Sequence, residues 1–343
     1  MADGLTMSDD RFEPDDELDR LVDRADLDGL VRLIDGRCAS RDWDGLLRVR
    51  ASCRAATATG RQVWPAATLA EYRAALLAPA THACRMLEED SGRFTVGPLT
   101  EVIAQNHTWV DLVDHLPDGP RRSFVAYERV LRGDRPVGEH ESIDLPMSVL
   151  DWEPDYALPV YSDDGVRADC PTDNWRHDWT VVDAADVAND VGADEIGLAV
   201  RNLVEPWTAS SNGRAESVTV DGGVAEMLRA LGLASARVTE IDGRSALGWL
   251  AWCGASGGAH GRRRGGALGR FDTWWLLAAL GGIQSEWDDL VEENRLADEL
   301  GAVVESLRWY RYDDTTTSGF ELSLIAVDPL DGLAIGMSAR DTA

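Results

Sequence analysis

The sequence predicts a mainly α-helical N-terminal part joined to an α/β or α+β part, the latter a small mixed sheet with helices on one face. Three observations carry this. Apolar residues recur at helical spacing between caps and stops from about residue 15 to 134, strand-like runs alternate with helix patterns from about residue 216, and the stretch between is acidic and proline-bearing. At 343 residues, 44% of them hydrophobic, the chain is long enough for two ordinary domains. The composition changes set the boundaries: a disordered tail over 1–14, a helical domain over 15–135, an acidic wrapping segment over 136–215, and an α/β domain over 216–343.

In the helical part, Asp42 caps a stripe of Trp43, Leu46, Val49, Cys53 and Ala56, and Gly60 ends it. The next helix begins near Trp64-Pro65, where proline suits a first turn, carries Leu69, Tyr72 and Leu76 on one face, and stops before Pro79. DWDGLL (42–47) and TWVDLV (108–113) share a WxxL core. No period near 34 or 40 residues holds over three copies, so an antiparallel bundle and an irregular TPR- or HEAT-like repeat both fit.

Between Glu139 and Glu195 stand sixteen Asp or Glu against Arg167 and Arg176, with four prolines and the clusters DWEPDY and DNWRHDW. Proline and charge oppose long helices, while Trp152, Tyr156, Trp175 and Trp179 are costly to leave in water, so this segment is expected to wrap over folded domains. Its DDGVRADCPTDNWRHD stretch lacks the alternating ligands and fixed glycine of an EF-hand, and no metal is expected. Beyond it, ESVTVDGG reads as strand and turn, GVAEMLRALGL as helix and ARVTEID as strand. Two or three helices follow, through Leu300, and LRWYRYDD, FELSLIAVDP and GLAIGMSAR then read as a meander.

Charge and composition exclude several functions. The net charge of -28 repels phosphate backbones and anionic lipid, so nucleic-acid binding is not expected. All 33 basic residues are arginine, which removes Walker-type, kinase-type and Schiff-base lysine chemistry. Cys38, Cys53, Cys84, Cys170 and Cys253 show no CxxC pair, and the histidines show no metal spacing. No cofactor is expected. The acidic N-terminus lacks the features of a signal peptide, and the apolar run Thr273–Ile283 is about half of the roughly 20 residues a spanning helix needs. A cytoplasmic protein without membrane insertion is expected.

One stretch, SGGAHGRRRGGALGRFDTWW (256–275), concentrates four arginines and six glycines in this acidic chain. GASGG at 254–258 fits a nucleophile elbow, but no histidine follows His260, which argues against a triad on Ser256. A second reading is an anion site, with His260, Arg262, Arg263, Arg264 and Arg270 as donors to a phosphate or carboxylate and Asn212 with Arg214 as neighbours. The third is structural. Gly257, Gly261, Gly265 and Gly269 would form a close-packing ridge on one helix, and Arg262 to Arg264 would fasten the acidic segment to the C-terminal domain.

Together with PWTASSNGRAE (206–216) and GRQVWPAATLAEY (60–72), the SGGAHGRRRG motif resembles a group of actinobacterial proteins of unknown activity. The resemblance covers most of the chain and implies a bacterial cytoplasmic origin. The expectation drawn from the residues is a non-enzymatic scaffold that binds a protein partner. The alternative is an enzyme or sensor for a small anionic ligand at 256–270.

Overall fold

The computed structural model describes residues 15–89, 95–136, 144–171, 178–192, 194–313 and 319–342, and the chain divides into two compact units after Pro117. The tail expected over 1–14 lies outside the described residues.

The first unit is helical: α1 (Asp16–Arg24), α2 (Leu27–Ser40), α3 (Trp43–Ala58), α4 (Trp64–Leu77), α5 (Ala80–Ala83), α6 (Leu99–Asn106) and α7 (Trp109–Leu112). From α1 to α5 each helix packs on the next, α2 and α6 also meet α4, and α7 meets α5. The predicted caps and stops hold at Asp42, at Gly60 with φ +95°, and at Trp64-Pro65. Three successive helices start in the same way. The carboxylates of Asp15, Asp26 and Asp42 accept from the N–H of Leu18, Gly29 and Gly45 at 3.2, 2.9 and 2.9 Å. Asp26–Leu30 and Asp42–Leu46 repeat a D-x-D-G-L motif because a Cβ on Gly29 or Gly45 would strike the capping carboxylate. Each motif follows a single left-handed residue, Ala25 (φ +50°) or Arg41 (φ +57°), so the chain turns a tight corner and the next helix packs back. Leu18, Leu30, Ile34, Leu46, Val49, Cys53 and Tyr72 fill the core so formed. Asp42→Ala is expected to cost about 1 kcal/mol in urea unfolding, because it orphans a helix N–H and leaves Arg37 with Asp15 as its remaining carboxylate partner.

The second unit opens with α8 (Pro120–Leu131) and continues through the hairpin β1 (Val160–Ser162) and β2 (Gly165–Arg167), then β3 (Thr180–Asp183), β4 (Asn189–Asp190), α9 (Asp194–Leu203) and α10 (Glu205–Ala209). Next come β5 (Arg214–Asp221), α11 (Val224–Ala230), β6 (Ser235–Ile241), α12 (Gly243–Ala255), α13 (Gly266–Leu280), α14 (Trp287–Glu292), α15 (Leu296–Ser306), β7 (Arg308–Asp313), β8 (Phe320–Asp328) and β9 (Leu333–Asp341). The sheet runs β3-β6-β7-β8-β9-β5-β4, and every pairing in it is antiparallel. The five strands read from the sequence are β5 to β9, the last three in the expected meander.

Several particulars differ from the sequence expectation. The sheet is not mixed in direction, and helices lie on both of its faces. One face sets Ile241, Trp309, Leu322, Leu324, Ile335 and Met337 in the main core with residues of α9, α12 and α13. On the other, Met227 and Leu228 of α11 meet Val220, Val238, Tyr312, Ile325 and Ala334. The reason lies in β8, where Leu322, Leu324 and Ala326 alternate with Ile325 and Val327, so both faces are apolar. α8, grouped above with the N-terminal helices, falls in the second unit because its buried Tyr127 joins that unit's core. The acidic segment is more than a wrap. It contributes β3 and β4, the two edge strands of the sheet, and α9. No helix among the described residues is long and apolar enough to cross a membrane.

Candidate functional site

The Arg/Gly-rich stretch is the joint between two helices of the core. α12 ends at Ala255, a loop follows, and α13 starts at Gly266 behind Gly265, whose φ is +100°. The single helix expected to align four glycines is therefore not formed. Gly257 and Gly261 face each other across the loop, where a Cβ on either would strike the other's carbonyl, and Gly269 packs against Ala251 and Ala255 of α12. The glycines do serve close packing, but in a tight turn and a helix crossing rather than a ridge.

Ser256 follows a helix, not a strand, and is buried. Its Oγ accepts from Trp207 Nε1 at 3.0 Å and from the Gly258 N–H at 3.3 Å, an arrangement that holds a loop and presents no nucleophile. His260 and Arg262 are exposed and Arg263 is half-buried.

The chemistry of an anion cradle is nevertheless present, and the protein's own carboxylates fill it. At the start of α13 the Ala267 N–H donates to Glu128 of α8 at 2.8 Å, so the helix N-terminus already holds a carboxylate. In the loop, the Ala259 N–H donates to Asp341 Oδ2 at 2.6 Å, while Ser211 donates to its Oδ1 at 2.7 Å. Arg264 ion-pairs with Asp272 at 2.6 Å and donates to the Asn202 carbonyl at 3.0 Å.

Arg270 is the most occupied of these donors. It and Glu153 are both fully buried. Nε meets Oε1 at 2.7 Å and Nη2 meets Oε2 at 2.9 Å, while Nη1 donates to the Pro146 carbonyl and Nη2 to the Ser148 carbonyl, each at 2.9 Å. Glu153 also accepts from Trp274, Tyr156 and the Leu150 N–H. Burial opposes the Arg270 charge, but Glu153 and Tyr156 more than offset it and hold its pKa above the ordinary value. Burial, reinforced by Glu153, pushes the Tyr156 hydroxyl well up. The fastening of the acidic segment expected from Arg262 to Arg264 is thus made by Arg270, whose guanidinium is closed to any ligand. Arg264 instead ties α13 to the end of α9.

Asp272 titrates in an unusual range. Burial raises it to about 6, against the opposing pull of Arg264. The folded state therefore holds this proton more tightly than the unfolded chain, whose value is 3.8. Its contribution to stability is present below pH 3.8 and is lost as pH rises through 6. Between pH 4.5 and 7 the loss is about 2 kcal/mol. Asp272→Asn is expected to remove that part of the slope, measured as the difference between urea unfolding free energies at the two pH values; an unchanged difference would contradict the assignment.

Asn212 and Arg214 do not join this loop. They line a separate cavity on the α11 face of the sheet, whose described lining contains none of residues 256–270. Sequence reasoning missed the carboxylates Glu128, Glu153 and Asp341. The one available signal was Glu153's place in DWEPDY, an acid flanked by large aromatics that shield it from water. Among the described residues no group of acids, cysteines and histidines is arranged to hold a metal.

The model of a family of unknown function (DUF6183) matches residues 28–343. No curated protein and no solved structure matches the chain.

Proposed function

The chain belongs to that family, DUF6183, and from this premise we propose that it is a non-enzymatic, cytoplasmic bacterial scaffold that binds a protein partner. The observation that supports this reading is the way the sheet ends. β3 and β4 close its two ends, so the outer edge of each faces no other strand of the sheet among the described residues. Val181 on β3 is 72% exposed, and Val187, just before β4, is 76% exposed. An open strand edge with apolar side chains beside it is a surface on which another chain can add a strand. The occupied arginines of the 256–270 loop weigh in the same direction, because the alternative of an anionic ligand at that loop loses Arg264 and Arg270 as donors. Net charge of -28 makes a nucleic-acid partner unfavourable.

The test is recovery of the tagged chain from its host with carboxylate-directed cross-linking, since the chain has no lysine to react. A defined protein should be recovered near stoichiometry, cross-linked at acidic residues around β3 or β4. Val181→Asp or Val187→Asp should release it without changing the melting temperature. Absence of a stoichiometric protein, or one retained equally by both variants, overturns the reading.

A further inference from the structure

We propose that the stretch of β5 left uncovered beyond the short edge strand β4 is the docking slot for a protein partner, which enters as an extended segment and sets a lysine or arginine against Glu216. The slot presupposes a scaffold that binds a protein, and it gives that partner one edge of the sheet and one charge.

β5 pairs along its whole length with β9 on one side. On the other side β4 reaches only Val220 and Asp221, with one further bond from the Val191 N–H to the Thr219 carbonyl at 3.0 Å. Hydrogen bonding along an antiparallel strand alternates between its two sides. Gly222, which follows β5, donates to Gly332 on the β9 side at 2.8 Å, so the even-numbered backbone groups serve β9 and the odd-numbered ones point outward. Thr219 has Val191 as its partner there. The outward N–H and carbonyl groups of Ala215 and Ser217 have none among the described residues, although both residues are half-buried. A strand added over residues 214–218 can therefore make about four ladder bonds, two at each of these positions.

Charge selects the occupant. Glu216 and Val218 lie on the α11 face of β5, where a cavity of about 520 Å³ adjoins the uncovered edge. Its described lining brings Asp186, Asp190 and Glu216 together with Arg229 as the one cation, and none of these four forms an ion pair among the described residues. Across β9 Glu216 faces the neutral Ser338, while Arg340 is matched by Glu321 of β8. Val187, 76% exposed, and Val218 add an apolar wall. A strand laid along Ala215 and Ser217, antiparallel to β5 as β4 is, points every second side chain toward α11. The side chain opposite Glu216 enters beside these carboxylates, and a cross-strand pair of opposite charge stabilises a sheet where a like pair destabilises it. Arg214, the next residue on the same face, confines the basic position, because a second cation opposite it would be repelled. The fitting partner carries one lysine or arginine within an apolar, strand-forming stretch.

The experiment is fluorescence anisotropy of a labelled heptapeptide, TVTKTVT, titrated with the intact chain at low salt, beside TVTETVT and the proline-blocked TVPKPVT. TVTKTVT should bind, and TVTETVT should bind roughly tenfold more weakly. TVPKPVT should not bind, because proline removes the N–H groups that would meet Ser217 and Ala215. Glu216→Gln should weaken TVTKTVT by about threefold to fivefold. Glu216→Arg should invert the preference between the two charged peptides, a result that an unfolded variant cannot give. Ser217→Pro removes an outward donor and no bond to β9, so it should keep the melting temperature and abolish binding. The slot is overturned if TVTKTVT does not bind at millimolar concentration, if TVPKPVT binds as tightly, or if Glu216→Arg leaves the preference unchanged. Any of these leaves the scaffold reading standing where a stoichiometric protein is still recovered, cross-linked at β3. Binding of TVTKTVT by a chain that yields no protein from its host keeps the slot and fails the scaffold reading.

Discussion

Arg270→Gln is expected to destabilise the second unit by about 3 to 5 kcal/mol in urea unfolding, the largest effect of any charge substitution in the chain. The variant leaves the Glu153 carboxylate fully buried with its cation gone, and the carbonyls of Pro146 and Ser148 without donors. Glu153→Gln should be comparably severe, because Arg270 then lies buried beside a neutral amide. The double replacement of both by methionine removes the buried charge. It still strands the N–H groups of Trp274 and Leu150 and the Tyr156 hydroxyl, so it should recover only part of the loss. A double-mutant cycle should show the two single losses summing to clearly more than the double loss. A loss below about 1 kcal/mol for Arg270→Gln would mean that the pair does not anchor the 144–156 segment to α13.

Much of the fold is legible in local chemistry. Asp42 and Gly60 bound α3 because a cap and a left-handed stop act within a few residues. Strands β5 to β9 were readable because alternation and turn residues are also local. What escaped depends on partners distant in sequence. Nothing around Thr180 or Asn189 states that these short runs will pair with Val238 and Asp221 as edge strands. The assignment of α8 to the second unit follows from Glu128 reaching the N-terminus of α13, 139 residues away.

The candidate site divides in the same way. Its arginines and glycines mark a place where anions meet a turn, and the sequence shows that much. Which anions they are depends on Glu128, Glu153, Asp272 and Asp341, three of them outside the stretch. Arg262 to Arg264 were the natural choice for the fastening role, as a run of three. Arg270 holds it because α13's helical phase turns that side chain into the core, where Trp274, one turn later, shares the same carboxylate.

Gly269→Ala should reverse the usual sign of a helical glycine-to-alanine change. Propensity alone favours alanine in mid-helix by about 1 kcal/mol. At Gly269, however, an added Cβ would strike the Ala251 carbonyl oxygen and come within 2.8 Å of the Ala255 nitrogen, backbone atoms of α12 that no rotamer change can move. From the other side, Gly254 brings the Gly269 Cα within 3.2 Å of where its own Cβ would lie, so the two helices touch backbone to backbone. Separating them would open the core around Leu203, Leu250 and Trp274. A net loss of about 2 kcal/mol or more is expected in urea unfolding, since overpacking costs typically 1 to 3 kcal/mol and here must first cancel the propensity gain. Gly36→Ala supplies the opposite case on the same chain. Gly36 lies mid-helix in α2, is exposed, and would place its Cβ in open space, so a gain of about 0.5 to 1 kcal/mol should result. Equal gains at both positions would show that α12 and α13 can part without cost, and the close glycine crossing would then have no hold on the core.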